Sequence, residues 1–143
     1  MKKLKLIISV IVAIFLATNI FAQSDLFLVN TASKAKKWEY VKAEFDKYDF
    51  GKLALKKVDK KFGVATSIVI DSTGNFMWTI TNANGSKTSV GIISESGNDS
   101  FFEFEDGNKL KVQASFKNYD TEMCLTIYGM ETNEYVNLIY KKQ

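Results

Sequence analysis

Two carboxylates in the stretch FFEFEDGNKLKVQASF (101–116), Glu103 and Glu105, have a spacing that would suit acid–base chemistry. On one strand face they would lie about 7 Å apart, which is within the range of an inverting glycosidase pair. The same stretch predicts a lysine opposite each of them, Lys111 and Lys109, which is typical of a solvated ion ladder. We expect a structural pair, because a catalytic pair needs a cleft that raises one of the two pKa values.

Other catalytic and metal-binding patterns fail on residue type or on spacing. The sequence has no histidine, which excludes Ser-His-Asp and Cys-His catalysis and His-ligated zinc. Cys124 is the single cysteine, so an intramolecular disulfide is excluded and the thiol is expected to be an apolar filler in a strand. Ser33 and Lys36 fit the S-x-x-K pattern of serine β-lactamases, but the remaining signature elements are missing. We therefore predict no enzymatic activity and no cofactor.

The acidic stretch belongs to a predicted β-hairpin. A three-residue loop at 106–108 pairs Phe104 with Leu110 and Phe102 with Val112, so that apolar side chains share one face and opposite charges share the other. The last residue of this loop, an asparagine, is expected to take the left-handed conformation.

The stretch VATSIVIDSTGNFMWTI predicts a second hairpin by the same test. A three-residue loop at 72–74 pairs Ile70 with Phe76 and Ile68 with Trp78, and its glycine supplies the positive φ.

The next turn, at 84–85, leaves two registers open. A two-residue turn would set Trp78 opposite Gly91, where the indole would cover the bare backbone. Turn clusters then divide the rest of the chain into further short alternating runs. The predicted strands lie at roughly 64–70, 76–82, 87–94, 100–105, 109–116, 123–129 and 135–141.

Residues 33–61 leave two interpretations open. Trp38, Val41, Phe45 and Tyr48 recur at helical steps, as in an amphipathic helix with a solvated lysine face, and a similar pattern follows in the second half. Alternatively, the run KKWEYVKAEF is an opening strand, with Trp38 reaching into the base of a barrel. The fold class predicted is mainly β: an antiparallel up-and-down meander that closes into a small barrel, with a short helical or mixed N-terminal segment.

The chain begins with a basic tip, an apolar run and a short segment that ends at Ala22. This three-part layout predicts a signal peptide over residues 1–22, cleaved after Ala22, with an uncleaved anchor as the alternative. We expect an exported protein, periplasmic or secreted, with a single domain over 23–143 and no membrane span after cleavage.

Charge in the chain argues against a nucleic-acid partner. The 19 basic residues are all lysines and three of them leave with the leader, so 16 lysines and 16 acids remain and the mature chain is neutral. Without arginine, bidentate recognition of phosphate or guanine is absent.

Trp38 near the mature start, the pattern IVIDSTGNFMW (68–78) and the closing strand YVNLIYKK (135–142) together resemble the small exported lipocalin-like domains of bacteria. The resemblance covers roughly 34–142 in the order of elements. It implies an up-and-down barrel with Trp38 at its base.

Aromatic side chains dominate the face that we assign to the interior. A barrel of about eight strands is filled by side chains or holds one small ligand, and aromatic residues serve both cases. We predict a non-enzymatic binding protein that encloses a small apolar or amphipathic ligand; the alternative is a protein-binding module, such as an envelope-complex subunit or an inhibitor of a secreted enzyme. The candidate ligand-binding residues are Trp38, Phe76, Trp78, Phe102, Phe104 and Phe116, with Tyr128 or Tyr140 as a polar handle.

Overall fold

The computed structural model describes residues 26–45, 50–128 and 134–143, so the predicted signal peptide over 1–22 lies outside the described residues. Eight antiparallel strands form a ring in which each strand pairs with the next and the last pairs with the first. The strands are β1 (Trp38–Glu44), β2 (Ser67–Ile70), β3 (Asn75–Asn82), β4 (Gly85–Ser96), β5 (Asp99–Phe104), β6 (Lys109–Lys117), β7 (Glu122–Tyr128) and β8 (Tyr135–Lys142). The prediction of a closed up-and-down barrel is confirmed.

Two helices accompany the ring, α1 (Phe27–Ala32) before β1 and α2 (Phe50–Lys61) between β1 and β2. The sequence reading missed α1, which is only six residues long and has no side-chain cap at its start. Among the described residues, no helix is long and apolar enough to cross a bilayer.

The hairpin between β2 and β3 forms in the predicted register. Ile68 pairs with Trp78 and Ile70 pairs with Phe76. Gly74 has a φ of +94°, and the carboxylate of Asp71 accepts the backbone N–H groups of Thr73 and Asn75, both at 2.9 Å. This turn is specified by residues that are adjacent in sequence.

The hairpin between β5 and β6 keeps the predicted faces but has a different register. Phe102 pairs with Leu110, not with Val112. The loop begins one residue earlier than predicted, so Gly107 takes the positive φ of +88° in place of Asn108. The physical reason is that glycine adopts this conformation without steric cost. A shift of two residues in the pairing preserves the parity of the faces, so Phe102 and Phe104 still point inward.

The turn between β3 and β4 has two residues, but it lies one residue earlier in the chain than the two-residue turn considered above. Asn82 pairs with Gly85, and its side chain accepts the N–H of Asn84 at 2.9 Å, which fixes the turn earlier in the chain. Phe76, and not Trp78, therefore lies opposite Gly91. An aromatic ring lies opposite Gly91, as expected, but the ring is that of Phe76 and not that of Trp78.

Residues 33–61 combine the two interpretations. The first part is the strand β1, because β8 supplies a pairing partner along its whole length, with a bulge between Tyr40 and Lys42. The second part is the helix α2. The helix predicted through Trp38 and Val41 is therefore wrong, because pairing with a distant strand overrides the local periodicity of the sequence. Tyr48 lies outside the described residues.

Candidate functional site

The aromatic residues predicted to face inward form a cluster inside the barrel. Trp38, Phe76, Trp78 and Phe102 are fully buried, and Phe104 nearly so. Phe76 makes edge-to-face contacts with Phe102 and Phe104, with ring centroids 4.8 and 5.1 Å apart, and Trp78 lies 5.6 Å from Phe102. The described aromatic rings therefore pack mainly against one another; their role as ligand contacts stays a prediction.

Three buried aromatic residues of the barrel interior donate hydrogen bonds from their polar groups to backbone carbonyl groups. At one end, Nε1 of Trp38 donates to the carbonyl of Ala32, the last residue of α1, at 2.9 Å. At the other end, Nε1 of Trp78 donates to Gly63 at 3.0 Å. The hydroxyl of Tyr140 donates to Ala65 at 3.1 Å. The proposed polar handle Tyr140 is thus already engaged, and burial raises its pKa.

Phe116 and Tyr128 lie at the periphery of this cluster. Phe116 is partly buried at the α1 end and contacts the rings of Trp38 and Phe27, at 5.8 and 5.9 Å. Tyr128 lies on the outer face of β7, where its hydroxyl donates to Gln113 at 2.7 Å. Tyr128 is therefore outside the barrel interior, because the alternation of β7 turns Ile127 inward instead.

An open cleft lies at the α2 end, between α2 on one side and β6 and β7 on the other. Its volume is about 280 Å³. Its described lining is Ala54, Lys57, Val58, Lys61, Phe62, Lys109, Leu110, Lys111 and Tyr128.

Apolar side chains form the floor of this cleft. Ala54 and Val58 face it from the underside of α2, and Leu110 faces it from β6; all three are buried. Phe62 stacks on Phe104 with ring centroids 5.4 Å apart. The cleft floor is therefore continuous with the aromatic cluster inside the barrel.

Four lysines, and no acidic residue, are among the described residues that line the cleft. Lys109 pairs with Glu103 at 3.0 Å and Lys111 with Asp99 at 3.1 Å. Hydrogen bonds from Ser94 and Lys109 lower the pKa of Glu103. Neither acid lines the cleft, so the charged side chains of its described lining are lysines, with Lys109 and Lys111 each paired to a carboxylate outside that lining.

Lys57 and Lys61 complete the rim of the cleft from α2. Nζ of Lys57 contacts the buried carboxylate of Glu134 at 2.8 Å. Nζ of Lys61 lies 5.2 Å from the ring centroid of Phe62. Sequence reasoning missed this site, although Lys57 and Lys61 are one helical turn apart and Lys109 and Lys111 share a strand face. Only tertiary packing brings the two pairs together.

The remaining chemical candidates do not assemble. The described residues contain no group of three or more His, Cys, Asp or Glu side chains that would hold a metal ion. The thiol of Cys124 is buried, and burial raises its pKa, as expected of an apolar filler. Glu103 takes part in an ion pair, as the sequence predicted, with Lys109 as its partner instead of Lys111.

Comparison with protein-family models and with curated proteins returns no match.

Proposed function

We propose that this protein is a non-enzymatic binding protein that takes a small amphipathic molecule with a negative charge in the cleft between α2 and β6. The observation that carries the proposal is the apolar floor of Ala54, Val58 and Leu110 beneath a rim of four lysines. Such a site would bury the apolar part of a ligand and leave its charged group at the amino groups.

The size of the cleft limits the ligand. Its volume of about 280 Å³ is close to the lower end of the range for small-molecule pockets. A single ring system or a short acyl chain would fill it. The charged group would lie nearest to Lys61 and Lys109, which approach the cleft from α2 and from β6.

The contacts inside the barrel favour the cleft over the interior as the binding site. A ligand among Phe76, Trp78 and Phe102 would have to separate their edge-to-face contacts, each contributing about 0.5–1.5 kcal/mol beyond its buried area. Access from the α2 end would also break the hydrogen bond from Trp78 to Gly63. The cleft requires neither change. The eight-stranded ring agrees with the architecture that the lipocalin-like resemblance implies.

The test uses two fluorescent probes of similar shape, the anion anilinonaphthalene sulfonate and the neutral N-phenylnaphthylamine. The variant Lys61→Gln/Lys109→Gln removes two rim charges, and Lys36→Gln/Lys142→Gln removes two exposed charges at the α1 end. We expect saturable binding of the anion, weakened about tenfold by the first variant and unchanged by the second. Absence of binding, or equal weakening by both variants, would reject the cleft as the site.

Export is part of the same proposal. Cleavage after Ala22 would release a chain that starts at Gln23. Intact mass of the protein recovered from the periplasm or the medium tests this; a full-length product retained in the cytoplasm would contradict it.

A further inference from the structure

The outward face of α2 carries a cluster of lysines around one exposed leucine. Lys52, Lys56 and Lys60 are spaced by four residues, so they follow one side of the helix, and all three are exposed. Leu53 lies on the same side and is 46% exposed. The opposite side of α2 packs on the barrel through Ala54 and Val58. We call the surface of Lys52, Leu53, Lys56 and Lys60 the α2 outer face.

Other charged residues at the same end of the barrel include both signs. The lysines at this end are Lys52, Lys56, Lys57, Lys60, Lys61, Lys87, Lys109 and Lys111, and the described acids there are Glu44, Asp59, Glu103, Glu105, Asp106 and Glu134, with Asp99 paired to Lys111. Asp59 is the one acid in α2, and it lies within 3.5 Å of the N–H of Val64. Five of the six charged residues of α2 are lysines, so lysine dominates the surface that α2 itself presents.

We propose that the α2 outer face docks on an anionic lipid surface, with Leu53 entering the headgroup region among the lysine side chains. Each lysine near such a surface strengthens binding through its charge, and an exposed leucine adds binding by burying apolar area in the headgroup region. The cleft opens beside this face, since Lys57 and Lys61 of the same helix line it.

The composition of the face distinguishes a lipid surface from other anionic partners. The α2 outer face has no arginine. Arginine is the residue that makes bidentate contacts to nucleic-acid phosphates and bases. Its one described exposed apolar side chain is Leu53, whereas the centre of a protein interface is enriched in aromatic residues and depleted of lysine. Diffuse, salt-sensitive attraction to many headgroups requires only the spread of charge that α2 has.

The experiment measures binding of the full mature protein to vesicles by sedimentation. The vesicles are phosphatidylcholine alone or phosphatidylcholine mixed with phosphatidylglycerol. We expect binding only to the mixed vesicles, and weaker binding as salt is raised. The variant Lys52→Glu/Lys56→Glu/Lys60→Glu should lower the partition coefficient by roughly fivefold or more per lysine.

A matched control, Lys34→Glu/Lys36→Glu/Lys142→Glu, makes the same change in net charge at the α1 end and should retain most of the binding. Equal loss in both variants, or no binding to either kind of vesicle, would overturn the proposal. Tighter binding to a DNA oligonucleotide than to the mixed vesicles would identify a polyanion site instead and also overturn it. Binding of anilinonaphthalene sulfonate by the α2 variant is measured in parallel, so failure of the lipid surface is distinguishable from failure of the cleft.

Discussion

The indole Nε1 of Trp78 donates a hydrogen bond of 3.0 Å to the carbonyl of Gly63, which ties the aromatic cluster inside the barrel to the segment that follows α2. Gly63 has a φ of +72°, and a Cβ there would meet Cδ1 of Ile80. Two residues later, the carbonyl of Ala65 accepts the hydroxyl of Tyr140. The interior aromatics therefore hold α2, and with it one wall of the cleft, against the end of the barrel.

Gly63→Ala is expected to destabilise the protein through both the backbone and the side-chain contact. The matched control is Gly97→Ala, because Gly97 also has a positive φ, +64°, but no atom lies within 4 Å of an added Cβ. We expect the control to lower the free energy of unfolding by about 1–2 kcal/mol, and Gly63→Ala to lower it by up to about 1 kcal/mol more, because the terminal methyl of Ile80 has to move. Urea unfolding measures both; equal effects would show that the contact with Ile80 is unimportant.

Trp78→Phe removes the hydrogen bond to Gly63, whereas Trp38→Phe removes the one to Ala32 at the opposite end. Loss of such a buried donor, with the acceptor left unsatisfied, costs about 1–3 kcal/mol. We expect Trp78→Phe to accelerate cleavage by trypsin after Lys60 and Lys61, since α2 becomes less firmly held. Trp38→Phe should leave that cleavage rate much closer to that of the parent. The reverse order of rates would contradict the assignment of the two ends.

Tyr119 lies in the turn between β6 and β7 with a φ of +55° and a fully exposed side chain. A left-handed conformation costs a residue with a side chain about 1–2 kcal/mol, and glycine avoids this cost. Tyr119→Gly is therefore expected to be more stable than Tyr119→Ala by about 1 kcal/mol. Both variants remove the ring, so the melting temperatures compare the backbone alone; equal values would reject this explanation.

Acid should weaken the hairpin between β5 and β6. The pKa of Glu103 is lowered by hydrogen bonds from Ser94 and Lys109, and that of Asp99 by hydrogen bonds from Lys111 and Gln113. Because the folded pKa of each lies below its unfolded value, their stabilising contribution is complete above the ordinary carboxyl value of 4.5 for Glu103 and is lost as pH falls through the folded pKa. The free energy of unfolding, measured across this range, should fall less steeply for Glu103→Gln. Ser94→Ala should have an intermediate slope; a slope equal to that of the parent in both variants would contradict the prediction.

Local sequence predicted the parts of the fold that depend on neighbouring residues. The turn between β2 and β3 was predicted in register because Asp71 and Gly74, which fix it, lie within it. The turn between β5 and β6 was predicted with the right faces and the wrong register, because alternation defines the face of Phe102 but not its partner. Glycine at the left-handed position decides between registers of equal parity.

By itself, the sequence determined that alternating side chains roll into an antiparallel ring with an aromatic interior, since strand periodicity and turn residues are local properties. Tertiary structure decided that Trp38 starts a strand, because its pairing partner Lys142 is at the other end of the chain. It also decided where the cleft lies, because Lys61 and Lys109 belong to elements that meet only when α2 packs across the end of the barrel. No local sequence pattern specifies this contact, because the free energy that stabilises it comes from the burial of apolar surface between distant segments.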